Sequence, residues 1–509
     1  MKCISKASNA VLAAAVMLLA ACTVGPDFER PRAPATASIT ARPLPDETVG
    51  APGIGGAPQR LISGGEISAE WWDLFHSPAL DQVIRQAMRD NPTLAAAQAA
   101  LRNARENLRA REGTVYFPAL DAAGSVSREK SSGSAIGQPG QDLLLTLYNA
   151  SVNVTYALDL FGSGRRELEG LRAQVDVQRF LRAGTFLTLS GNIVTTAISE
   201  ASLRGQLQTT LELLAIQEKQ LDLVQQQFQL GAVASSDVLA QQSLLAQTQA
   251  TVPPLEKTLA QTRHLLAVLT GRLPNEAARL PEFSLDQLQL PEELPLSLPA
   301  ELMRRRPDIL VSEALLHAAS AQIGVTTANL LPQIVITGSY GSEANRPGKL
   351  FNNSTSVWNI GTGLLQPIFH GGELRAKRRA AMAAYDQALA QYRETVLFAF
   401  QNVADVLRAL ETDARTLRAQ AAAADSARKL LDLTRQQFEV GAVNYLSLFN
   451  AQRQYQQARL TLVQAQAIRF ADTAALFQAL GGGWQSGGLQ TDRIRQDEAV
   501  SQLISREKT

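Results

Sequence analysis

The sequence predicts a mixed α/β membrane protein with an internal two-fold repeat: four strands per chain, followed in each half by a very long helix. Three observations predict it. The octet QQFQLGAV at Gln226–Val233 returns as QQFEVGAV at Gln436–Val443, and an internal repeat governs the fold before any single element does. Each half holds two segments in which apolar and polar residues alternate, the period of a half-buried strand. Each half also holds a helical stretch, over 165–230 and 373–440, which at 1.5 Å per residue would run on the order of 100 Å.

Composition excludes several classes. The chain has 509 residues with 48 Lys+Arg against 47 Asp+Glu, so it has no global basic field and nucleic acid is not an expected partner. Four histidines, His76, His264, His317 and His370, are scattered without a metal-binding spacing, so no metal and no cofactor is expected. GSGRRE lacks the Lys-Ser/Thr of a phosphate loop. Nothing pairs a nucleophile with a base, and the chain is not expected to be an enzyme.

The N-terminus begins with Lys2 and Lys6 and an apolar run at Ala10–Ala20, ending in Leu19-Ala20-Ala21-Cys22. Small residues before a cysteine fit a lipoprotein signal peptide over 1–21. Cys22 is then the lipidated first residue, a covalent lipid anchoring the chain to the outer membrane, with Thr23 rather than aspartate behind it. Cys3 leaves with the signal, so no disulfide is expected.

Residues 22–63 are rich in Pro, Gly and Ala and read as an acylated, extended tether. A first repeat follows over 64–298. It opens with WWDLFHSPALDQVI, where Leu80, Val83, Ile84 and Ala87 lie at helical spacing. That helix is expected to resume after Pro92 and to yield at Gly113. The first strand pair is 116–129 and 148–161, then the long helix 165–230, and a return helix 236–270 kinked at Pro253-Pro254. The second repeat, 299–480, has a helix over 300–329 and strands 331–343 and 356–369, with Trp358, Ile360, Leu364 and Ile368 on one face. Its long helix is 373–440 and its return helix 445–480, and a polar, flexible tail is expected over 481–509.

Residues Leu214, Gln217, Leu221, Val224 and Phe228 follow 3-4 spacing, as do Ala424, Ala427, Leu431, Thr434 and Phe438. This is a left-handed coiled-coil seam. Gly231 and Gly441 stop the long helices, so each octet marks the tip of a helical hairpin. Four strands cannot close a barrel, and lipid forbids open sheet edges. Closure by a homotrimer would give a 12-stranded transmembrane β-barrel, continued by a helical coiled-coil barrel.

The lipobox LAAC with TVGPDFERP, then WWDLFHSPALDQVI, DLFGSGRRELEG, QLGAVASSDVLAQQ and VGAVNYLSLFNAQ, resembles the TolC-like outer-membrane factors, most of all the lipid-anchored NodT/OprM-type branch. The resemblance implies an outer-membrane channel of a tripartite efflux system, RND-type for multidrug export. It would be a passive exit duct opened at its periplasmic tips by an adaptor protein and energised by an inner-membrane pump. It places adaptor contacts at Gly231, Ala232, Val233 and Asp237 and at Gly441, Ala442 and Val443, and a periplasmic constriction at Ser447 and Asn450, where relatives commonly carry aspartate. A protein-secretion channel of the type I class is the alternative in the same family. A trimeric adhesin or structural lipoprotein is the alternative of another class. Arg165, Arg166, Arg375, Lys377, Arg378 and Arg379 read either as an anionic-lipid or lumen patch or as solvated helix faces.

Overall fold

The computed structural model describes residues 23–34, 39–64, 67–131, 143–296 and 299–484. The signal peptide, Cys22, most of the loop expected over 130–140 and residues 485–509 lie outside the described residues. The chain divides into two compact units: Met1–Pro31 with Ala99–Arg179 and Val311–Arg393, and Arg32–Gln98 with Phe180–Leu310 and Glu394–Thr509.

The first unit carries one antiparallel sheet of four strands: β2 (Ala119–Ser131), β3 (Leu143–Leu158), β5 (Gln333–Ala344) and β6 (Ser356–Leu365), in the order β2-β3-β5-β6. The register sets Ala122 opposite Val152, Val152 opposite Tyr340, and Tyr340 opposite Trp358. Opposed residues share a face, so the even-numbered positions line up as Leu120, Val126, Val152, Tyr340, Trp358, Ile360 and Leu364, all exposed. The odd face carries Asp121, Ser125, Ser127, Asn149, Asn153, Thr337, Ser339 and Asn359. A broad apolar face left open is not what water tolerates on a soluble monomer. Among the described residues the outer strands β2 and β6 each have one neighbour.

Several boundaries differ from the sequence reading. The helix expected to yield at Gly113 runs on as α2 (Pro92–Tyr116), because a glycine with nothing near its Cβ position weakens a helix by only about 1 kcal/mol. Tyr116 is thus helical rather than the start of a strand. β3 begins at Leu143, before the expected 148, and ends at Leu158. β6 ends at Leu365, so Ile368 is not on its face.

The second unit is held by a large apolar cluster. The WWDLF segment forms a 3-10 turn at Trp71–Phe75, followed by α1 (Pro78–Asp90), whose Leu80, Val83, Ile84 and Ala87 are all buried. Trp71 is fully buried and stacks on Phe477 at 5.3 Å. Phe75 meets Phe470 at 6.3 Å. The expected tether is in part a strap built into this core. Its β1 (Arg60–Ser63) pairs in parallel with β4 (Glu293–Leu296). Buried Gln59 donates to the Pro291 carbonyl at 2.9 Å and to Thr473 Oγ1 at 3.1 Å. A four-residue strand whose partner lies more than two hundred residues away leaves no periodicity to read.

The long helices are α3 (Ser163–Gln229) and α8 (Glu373–Glu439), each 67 residues. They start 210 residues apart and end 210 residues apart, and the return segments also match, starting at Ser235 and Tyr445 and ending at Leu269 and Ala479. The return path in the second half is one helix, α9 (Tyr445–Ala479). In the first half it is α4 (Ser235–Gln249) and α5 (Val252–Leu269). The break at Ala250-Thr251 sits just ahead of Pro253-Pro254, which remove two amide donors, and both residues of the break stay in the right-handed helical region. The helix expected over 300–329 is likewise split, into α6 (Pro299–Arg305) and α7 (Pro307–Ala328), since the residue before a proline is driven out of helix. Gly191 lies within an unbroken α3, and a Cβ there would meet the side chain of Gln478, which would have to move aside.

The tail begins later than expected. Trp484 is buried against Ala183 and Leu310, and its Nε1 donates to the Arg305 carbonyl at 2.8 Å.

Candidate functional site

The repeated octets end their helices in the same way. Gly231 has φ +76° and Gly441 φ +75°, the left-handed region that glycine enters without cost. Ala232 N–H donates to the Gln227 carbonyl at 2.8 Å and Gly231 N–H to the Phe228 carbonyl at 2.9 Å. At the second tip Ala442 N–H donates to Gln437 at 2.8 Å and Gly441 N–H to Phe438 at 3.0 Å. This paired pattern is the Schellman cap, which satisfies carbonyls the helix leaves free. The octet is written twice because each long helix needs the same stop.

The turns then enter the return helices by two different devices. Asp237 reaches back to accept Ala234 N–H at 3.0 Å. At the matching place in the second repeat Asn444 reaches forward, accepting Ser447 N–H at 3.1 Å and Ser447 Oγ–H at 2.9 Å. Asp237 and Ser447 therefore both serve as helix-start partners. Ala232, Ala442, Ser447 and Asn450 are exposed, and Val233 and Val443 half-buried.

The structure brings the two tips together through residues that sequence reasoning missed. Tyr445, in the first turn of α9, is buried and its hydroxyl hydrogen-bonds Gln241 Oε1 of α4. Burial pushes the Tyr445 hydroxyl pKa well up, with Asp237 the second cause. Gln241 in turn donates to the Gln217 carbonyl at 3.0 Å. Further along, Gln452 donates to Gln220 at 3.1 Å and Gln464 to Gln206 at 3.1 Å. A visible signal was Tyr445, an aromatic where the first repeat has Ser235. That difference also corrects the seam. Ala424, Ala427 and Thr434 are buried as expected, and Phe438 packs edge-on against Tyr445 at 6.0 Å. In the first repeat Gln217 and Val224 are buried, but Leu213 replaces Leu214 and Phe228 is 46% exposed. With serine at 235, the Phe228 ring meets no aromatic ring among the described residues.

A second cluster lies inside the helical unit. Asp413 of α8 neighbours Asp472 of α9, and burial, then Asp472, pushes the Asp413 carboxyl up to about 7. Fully buried Arg469 donates to Thr48 Oγ1 at 3.1 Å and to the Ala57 carbonyl at 2.7 Å. Its charge opposes the rise on Asp413 without cancelling it. An acid raised in the folded state holds a proton that the unfolded chain has already released. The stabilisation is therefore full below about pH 4 and fades as pH rises through about 7. Thermal midpoints at about pH 5 and about pH 8 should fall with pH in the wild type and fall less in Asp413→Asn; equal slopes in the two would contradict this assignment.

The basic residues do not form one patch. Arg166 is 5% exposed, with Nη2 on Asp27 at 2.7 Å and Nη1 on Glu169 at 2.7 Å. Arg165 pairs with Asp159 at 3.4 Å. Arg375, Lys377, Arg378 and Arg379 are exposed. His317 meets Glu169 at 2.8 Å and stacks on Phe28 at 4.3 Å. Among the described residues no three metal-ligating side chains gather.

A sheet with an open apolar face and unpaired edges, on a chain whose other unit carries capped coiled-coil hairpins, defines the class: an outer-membrane channel protein. The sequence profile of the outer membrane efflux protein family matches residues 83–272 and 298–482, and the chain belongs to that family. It is 30% identical to the pyoverdine export outer membrane protein OpmQ of Pseudomonas aeruginosa, over 84% of this chain and 91% of that one. It is 28% identical to the probable efflux pump outer membrane protein TtgC of Pseudomonas putida, over 96% of this chain and 98% of that one. Among solved structures it is similar to the outer-membrane channel OprN, with a TM-score of 0.82, 28% identity, and 91% and 100% of the two chains covered. The protein is thus an efflux channel of the outer membrane, of a family of channels rather than enzymes.

Proposed function

We propose that the protein is the trimeric exit duct of a tripartite efflux pump of the RND multidrug type. Three copies would close β2 against a neighbour's β6, giving a twelve-stranded barrel whose apolar even-numbered face meets lipid and whose polar face lines the lumen. The observation that carries this is the pair of free edges on a sheet with an apolar face. The helical hairpins would form the periplasmic part, with lipid on Cys22 adding an anchor. The names of its relatives, pyoverdine export and efflux pump, favour small molecules over secreted proteins as cargo.

An adaptor would dock at Gly231-Ala232-Val233 and Gly441-Ala442-Val443, turns whose glycine Cβ positions face open space. Photo-crosslinking groups at Val233 and Val443 should capture the adaptor; capture from mid-helix positions alone would remove the docking assignment. Opening would separate the hairpins at the Tyr445–Gln241 contact. The exposed Ser447 and Asn450 cannot ionise, so a closed state would rest on packing and hydrogen bonds rather than on a ring of carboxylates. Conductance of the wild type should be little blocked by divalent cations, and Asn450→Asp should become sensitive to them. Equal inhibition of both would contradict a constriction at this position.

A further inference from the structure

The two repeats treat the start of their long helices differently. In α3 the arginines at 165 and 166 are matched by Asp159, Asp27 and Glu169. In α8 the sequence ELRAKRR places four cations in the first seven residues, with Glu373 as the one acid, engaged by Lys377 at 2.5 Å. The side chains of Arg375, Arg378 and Arg379 are exposed, with no ion pair or hydrogen bond among the described residues. Cations here oppose the helix dipole, and Arg375 and Arg379, four apart, repel one another. Three of the four cations are therefore without a partner among the described residues and free to meet an anion from outside.

What adjoins the cluster says which anion. The exposed apolar positions Trp358, Ile360 and Leu364 of β6 are followed by Ile368 and Phe369, which are 94% and 86% exposed. Gly371 and Gly372, at φ +58° and +86°, then turn the chain into α8. Seven residues of helix advance about 10 Å, so the cations follow an apolar band within roughly one headgroup layer. Long basic side chains at such an edge reach for phosphate while their stems lie along apolar surface.

We propose that Arg375, Lys377, Arg378 and Arg379 bind the headgroups of anionic phospholipids in the periplasmic leaflet and so fix the depth of the sheet in the membrane. This rests on the reading of the sheet as the membrane-crossing part. The test uses the full-length protein in lipid nanodiscs of phosphatidylethanolamine with or without phosphatidylglycerol, and reads bound lipid by native mass spectrometry. The wild type should retain phosphatidylglycerol at about fivefold over its share of the disc, the effect expected of one basic residue near an anionic surface. R375Q/K377Q/R378Q/R379Q should lose that enrichment, and R375K/R378K/R379K should keep it. Enrichment that survives in the four-glutamine protein, or is missing from the wild type, overturns the proposal. So does retention of inorganic phosphate to the same extent in discs lacking phosphatidylglycerol, or crosslinking of these residues to carboxylates of a neighbouring copy. Mass and conductance of the same preparations report separately on the channel: a conducting oligomer without lipid preference refutes only this proposal.

Discussion

Truncating Trp71 to alanine should destabilise the protein by about 3–5 kcal/mol, the usual loss for a buried large aromatic. Trp71 is wholly inside the helical unit, stacked on Phe477 at 5.3 Å and edge-on to Trp72 at 6.1 Å and Phe75 at 6.4 Å. Its Nε1 has no hydrogen-bond partner among the described residues, so truncation orphans no polar group there and the loss is that of apolar contact and cavity. Trp71→Phe should recover a large part of it. Chemical denaturation of the detergent-solubilised protein measures both, and a change below about 1 kcal/mol for Trp71→Ala would show that the cluster is not the keystone of this unit.

Valine at both Gly231 and Gly441 should disable efflux while leaving the assembled protein intact. Both residues sit at positive φ, where a side chain costs about 1–2 kcal/mol and a β-branched one most. A Cβ would meet nothing within 4 Å at either position, so the penalty is one of backbone conformation. The turn would rearrange locally and move the neighbouring alanines and valines. Drug susceptibility of a host lacking its own channel should rise about tenfold, the effect of roughly 1.4 kcal/mol lost from docking. Asparagine, which visits the left-handed region more readily, should restore much of the function. Full activity in the double valine variant would mean that tip geometry is not used for docking.

Legibility followed the range of the interactions. The capped ends of α3 and α8 were readable because a glycine stop is local, and so were the alternating strands, whose period is two. The start of α1 and the burial of Leu80, Val83, Ile84 and Ala87 followed from helical spacing. Contacts that close over long separations left little trace. Gln59 with Thr473 and Gln241 with Tyr445 are polar groups buried because a distant partner exists. A single glutamine in a sequence does not announce that partner. The first seam was misread by one residue because Leu213 and Leu214 are both apolar, and only packing chooses between them. The site residues were a mixture. Asp237, expected as an adaptor contact, and Ser447, expected at a periplasmic constriction, both have side chains occupied in starting helices.

The central claim is that a chain with four membrane strands completes its barrel only by borrowing edges from its neighbours. Mass photometry of the purified protein in detergent, joined to single-channel recording on the same sample, tests it most directly. Three chains per particle with a steady conductance is the result expected; a one-chain particle that carries no current would contradict it.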